Sequence, residues 1–197
     1  MAGMGRLELF GCEGDCSIGR GPQFLRFRRL LLDKLFGPKE SCEIAGKGQI
    51  GYITFSIPVG SSRSTLVSMF EEEIKLANAK YGEEVVKVVD MATISMQEQA
   101  ALVSNSAVLL TNHGGGSVVS VFLPVGASAI VFWHGPRRLD HKFYESAGYF
   151  RPVWLSEHER PYLNRTMAII ERGMEKTALR YPGIISVQGH GRHEVEE

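Results

Sequence analysis

Apolar positions recur along this chain with two different periods. Phe24, Phe27, Leu31 and Leu35 return at helical spacing after Gly21-Pro22, and Gly37-Pro38 closes the run, so a helix is predicted there. Its other face carries Arg26, Arg28, Arg29 and Lys34 and reads as a solvated surface. Residues 38 to 49 read as loop. Ile50 to Ile57 is a continuous apolar run rich in β-branched and aromatic residues, the mark of a buried strand. A turn at Pro58 to Arg63 leads into a helix from about Ser64 to Lys80, striped by Leu66, Phe70, Ile74 and Ala77 and stopped by Tyr81-Gly82.

The same alternation continues to the end of the chain. Val85 to Val89 reads as a strand, and Ser95-Met96-Gln97-Glu98 as a capping box opening a helix that runs to about Val103. Ala107 to Thr111 is the next strand and stops at His113-Gly114-Gly115-Gly116. Ser117 to Phe122 fits a short helix closed before Pro124, and Ala127 to Trp133 another strand. A helix near Leu139 to Ala147, a short strand at Arg151 to Leu155 and a long helix over Glu159 to Leu179 complete the pattern, the last striped by Leu163, Met167, Ile170 and Met174. Strands that are apolar throughout, spaced by helices, predict an α/β fold: a Rossmann-like parallel sheet with helices on both faces. Residues 1–22 are glycine-rich and read as irregular, and the tail over 183–197 reads as disordered.

Composition narrows the function classes. The 197 residues are 44% hydrophobic and 22% charged, ordinary for a globular domain. Basic and acidic residues balance at 22 each, which gives no electrostatic footprint for nucleic acid. No apolar run approaches the ~20 residues of a membrane span, and the first residues carry no signal-peptide core. Cys12 and Cys16 lack a second pair for a zinc site, and Cys42 makes the cysteine count odd. His190 and His193 read as tail residues, so no metal site is expected. Asn164-Arg165-Thr166 is a glycosylation sequon of weak specificity.

The glycine turn carries the candidate chemistry. In an open parallel sheet, ligands sit at the carboxyl ends of strands, where His113 to Gly116 is expected. Glycines admit a ligand close to the backbone, and the unpaired first amides of a helix favour an anion such as pyrophosphate. His113 can donate a hydrogen bond, and Ser117 can bind phosphate or cap the helix. Arg63, after a strand end, can clamp a diphosphate or be solvated. Glu98 reads as a cap, Gln99 as a nucleotide contact or a structural anchor, and Trp133 with His134 as core or base-stacking residues. A plain turn remains an alternative. The esterase oxyanion-hole reading is weaker, because no serine after Gly116 sits in a G-x-S-x-G elbow and His134, His141 and His158 have no triad to complete.

The segment Ile94 to Phe132 resembles glycosyltransferase family 61. The matching residues are Gln99, the apolar Val108 to Leu110, His113-Gly114-Gly115-Gly116 and Phe122-Leu123-Pro124-Val125-Gly126-Ala127. Ser62-Arg63-Ser64 looks like the family's arginine motif, and Phe143-Tyr144 with Gly148-Tyr149 like its aromatic segment, so the resemblance covers about residues 48 to 155. Val119 and Val131 stand where many members carry asparagine and glutamate. The resemblance implies the donor-binding half of a GT-B-type enzyme, with residues 23–182 as its nucleotide-sugar-binding domain. It implies inverting transfer from a nucleotide sugar, usually UDP-linked, to a glycan or glycoprotein acceptor, with no cofactor and no obligatory metal. It also implies an acceptor domain supplied elsewhere and, if the chain is a fragment of a membrane-anchored enzyme, a Golgi or endoplasmic reticulum location. The runner-up expectation is a non-catalytic nucleotide-binding module of the same fold.

Overall fold

The computed structural model describes residues 21–46, 51–57, 70–133, 144, 147–156 and 163–180. Among the described residues five helices and five strands follow one another: α1 (Gly21–Phe36), α2 (Pro38–Gly46), β1 (Tyr52–Ser56), α3 (Glu71–Tyr81), β2 (Val86–Val89), α4 (Met96–Ser104), β3 (Ser106–Asn112), β4 (Ser128–Trp133), β5 (Arg151–Ser156) and α5 (Leu163–Arg180). Two 3-10 segments interrupt them, Met91–Thr93 and Gly115–Phe122. The expected short helix after the glycine turn is the second of these.

The strands form one sheet in the order β2-β1-β3-β4-β5, and every pairing is parallel. Ile53 of β1 pairs with Val86 on one side and Val108 on the other, and Val108 pairs onward with Ser128. The expected α/β class is therefore what the chain adopts. Core residues divide between the two sheet faces, as alternation along a strand requires. Val108 and Leu110 lie in one cluster with Phe55, Phe70, Ala77, Ile130 and Ile170, and Leu109 lies in the other with Val103, Val119, Val121 and Val131. Each large side chain buried in this way contributes about 1.5–3 kcal/mol. Gly173 lets α5 lie close against β3, since a Cβ there would sit 2.4 Å from Val108 Cγ2.

Two expectations at the amino-terminal end are corrected. Residues 38 to 46 are helical, not loop. Gly37, at φ +81°, ends α1 with its amide on Asp33 O at 2.9 Å, and Pro38 then starts α2. Proline fits a first helical turn because the amide it lacks would have no partner there. Glu40 adds a negative charge to that first turn, and the Ser41 hydroxyl donates to the Asp33 carboxylate and to Pro38 O. The second correction concerns the phase of α1. Its buried stripe is Phe24, Arg28 and Leu32, whereas Phe27 is 47% exposed. Arg28 is therefore not part of a solvated face.

The capping box forms as read: Ser95 N donates to Glu98 Oε2 at 2.8 Å, and Glu98 N to Ser95 Oγ at 3.2 Å. Glu98 is thus a cap. The helix read from Ser64 is corrected: it begins at Glu71, with the non-helical Phe70 as its N-cap. Residues 64–69, most of the helix read near Leu139, and both chain ends lie outside the described residues.

Candidate functional site

The strand order makes a crevice. From β1 the chain goes to β2 on one side of it, then returns to β3 on the other. The elements that follow also part company: α3 packs its Ala77 on one face, while the 3-10 helix after β3 packs Val119, Val121 and Phe122 on the opposite face. The carboxyl ends of β1 and β3 are therefore a topological switch point, where such sheets leave an open groove.

His113 to Gly116 sits at that point. The His113 amide donates to Phe132 O at 2.8 Å and so extends the β3–β4 ladder by one residue, leaving the partly exposed imidazole at the strand end. Gly114 adopts φ +107° and ψ −152°, a conformation only glycine takes readily. A Cβ on Gly114 would meet nothing within 4 Å, so open space lies against the turn. Gly115 and Gly116 open the 3-10 helix, and the first amides of a helix have no partner within it.

Two other expected site residues serve the scaffold. Ser117 is 1% exposed; its amide reaches Gly114 O at 3.0 Å, its hydroxyl donates to the same oxygen at 2.7 Å, and the Tyr144 hydroxyl donates to Ser117 Oγ. Both Ser117 donors are thereby used inside the turn; the N-cap position is Gly114, so Ser117 ties down the first turn without capping the helix. Gln99 Nε2 donates to Met91 O at 2.7 Å and Ile94 O at 3.1 Å, anchoring the segment that leads into α4. Arg63, His134 and the Trp133 side chain lie outside the described residues.

Sequence reasoning passed over the groups that hold the turn. Arg28 is 7% exposed and its Nε donates to Phe122 O at 3.0 Å. The Tyr149 hydroxyl donates to Val121 O at 2.5 Å, and burial pushes its pKa well above the ordinary phenol value, although the nearby Arg28 charge acts the other way. The available signal was the four-residue spacing of Phe24, Arg28 and Leu32 on α1. No group of three or more metal-ligating side chains occurs among the described residues, and no described helix is long and apolar enough to cross a membrane.

Val119 and Val131 are both buried, at 5% and 0% exposure, in the cluster between the sheet and the 3-10 helix. Valine at these two positions packs the core of this chain and does not line the groove.

Sheet and turn together define the class: a Rossmann-like α/β domain with a glycine turn at its switch point. Comparison with known families carries the assignment further. The sequence profile described as Glycosyltransferase 61 matches residues 25–130, more than half of the chain. The chain belongs to the glycosyltransferase 61 family. The match begins in α1, upstream of where the resemblance was read, and stops within β4, before Tyr144 and Tyr149. No curated protein matches the chain significantly.

Proposed function

We propose that this domain binds the donor of the transfer, a UDP-linked sugar, with its diphosphate against the Gly114–Gly116 turn. The observation that carries the reading is Gly114 at φ +107° facing open space, directly before the first residues of the 3-10 helix. The first amides of a helix and the positive end of its dipole suit an anion. His113, at the strand end, is placed to donate to a phosphate oxygen.

In the transfer itself, an acceptor hydroxyl attacks the anomeric carbon from the side opposite the diphosphate. The carbon–oxygen bond to UDP breaks, the configuration inverts, and the hydroxyl proton passes to a base on the acceptor side. The negative charge on departing UDP is met by the turn amides and His113, an arrangement suited to transfer without an obligatory metal. The acceptor, a glycan or glycoprotein, and the base belong to a second, facing domain of a GT-B arrangement.

Thermal unfolding with added nucleotide tests the donor site. UDP at a hundredfold excess over its Kd is expected to stabilise the domain by about 2.7 kcal/mol. Titration calorimetry that shows no heat with UDP, GDP or CMP up to millimolar concentration removes the reading.

A further inference from the structure

The helix behind the glycine turn is gripped at both ends by side chains from elsewhere in the fold. It holds 3-10 geometry for eight residues, Gly115 to Phe122, which is long for a conformation with poorly aligned hydrogen bonds. At its far end the last carbonyls collect three donors from three elements. Arg28 Nε from α1 reaches Phe122 O at 3.0 Å, Ser104 Oγ from the end of α4 reaches the same oxygen at 3.2 Å, and the Tyr149 hydroxyl reaches Val121 O at 2.5 Å. At its near end Tyr144 holds Ser117, which holds Gly114 O.

Among these groups Arg28 is the charged one. Burying a guanidinium to 7% exposure is costly, so its place calls for an explanation. Its charge lies at the negative end of the helix dipole, and a hydrogen bond from a charged donor is stronger than a neutral one. A 3-10 helix and an α-helix differ in winding by about 20° per residue. If the far end were released, the segment could rewind, and over eight residues that turns the first amides well away from their present direction.

We propose that Arg28 is a positioning residue for the donor site. By fixing the carbonyl end of the 115–122 helix, it keeps the Gly115 and Gly116 amides aimed at the groove. It does not touch the donor and acts only through this helix. The inference rests on the diphosphate reading for its functional meaning, but the orientation of the turn can be measured without any nucleotide.

The experiment uses the full chain labelled with ¹⁵N-glycine, as the parent and as Arg28→Met, Arg28→Lys and Ser104→Ala. Without ligand, Arg28→Met is expected to shift the Gly115 and Gly116 amide resonances and to speed their hydrogen exchange at least tenfold. Gly82 and Gly173, remote from the helix, should keep theirs. UDP affinity should fall tenfold or more, and Arg28→Lys should recover most of both effects. Ser104→Ala removes the other donor to Phe122 O and should give a smaller change of the same kind.

A folded Arg28→Met chain with unchanged Gly115 and Gly116 signals overturns the proposal, as does a chain in which all glycines loosen together. If Arg28→Met does not fold, an Ser104→Ala chain with unchanged turn glycines overturns it equally. If the parent shows no response to UDP, the diphosphate reading fails, while the ligand-free spectra still decide whether Arg28 sets the turn.

Discussion

Gly114 and His113 are neighbours in the turn, yet replacing each would fail for a different reason. An alanine Cβ at position 114 has room, so the penalty of Gly114→Ala lies wholly in the backbone, held at φ +107° and ψ −152°. Such glycine-only conformations cost other residues on the order of 1–3 kcal/mol. Denaturant midpoints should show that loss, together with weakened UDP binding as the turn relaxes. His113→Ala keeps the backbone bond to Phe132 O, so its stability should hardly change. UDP binding should weaken by roughly 1.5–3 kcal/mol, the worth of a hydrogen bond to a charged group. Unchanged affinity with a large fall in Tm would make His113 structural. At this scale the glycine turn itself was legible, because three glycines after an apolar strand break its pattern. The roles of Ser117 and Gln99 were not, because a hydroxyl that ties down a turn and a ligand-binding one look alike until their partners are known.

Two elements allow equally direct tests. Gly173 faces β3 from α5, and alanine there would set a methyl 2.4 Å from Val108 Cγ2. Alanine favours a helix over glycine by about 1 kcal/mol, but overpacking costs about 1–3 kcal/mol. Gly173→Ala should therefore destabilise, and Val108→Ala in the same chain should recover part of the loss. Additive effects in that double-mutant cycle would show that the two groups do not meet. The box at the start of α4 gives a pH test. Hydrogen bonds from the Ser95 side chain, then from its backbone, hold the Glu98 carboxyl below its ordinary pKa. A depressed carboxyl contributes stability above its unfolded pKa of about 4.3 and loses it as pH falls through the folded value. Ser95→Ala should thus cost about 0.5–2 kcal/mol at pH 7 and visibly less at pH 3. Equal urea midpoint shifts at both pH values would show that the ionised Glu98 carboxyl adds nothing to the cap.

Helix existence was legible from the capping box in α4 and from the apolar stripe in α5. The phase of α1 was misread because Phe27 is apolar and Arg28 charged, whereas packing against the 3-10 helix needed a donor more than a ring. In α2, Pro38 was read as a stop when it is a start, since proline suits both places.

At the scale of the whole molecule, continuous apolar strands betrayed a covered parallel sheet, but their order did not follow from pattern alone. Which neighbour β3 chooses depends on long-range packing of both faces. The described residues form one such sheet, whereas transfer needs donor and acceptor held together, a placement that can account for about 7–11 kcal/mol of the barrier. The 197-residue chain by itself is expected to bind UDP weakly and to release no UDP from a panel of UDP-sugars with mixed glycan acceptors. Release should appear when a second domain is supplied, in the same chain or by a partner. Robust turnover by the chain alone would refute that division of labour.

The central ladder also governs how this domain comes into being. The described strands pair only in parallel, so none of them forms an early hairpin, and Ile53 meets Val108 only after α3, β2 and α4 have been bridged. Loop-closure entropy comes before the contacts that reward it, which slows folding. On a ribosome, β1 emerges long before its partner β3, and its apolar edge waits unpaired. The groove between them cannot assemble before β3 has emerged, so a holdase that covers β1 is expected to raise the yield of binding-competent protein.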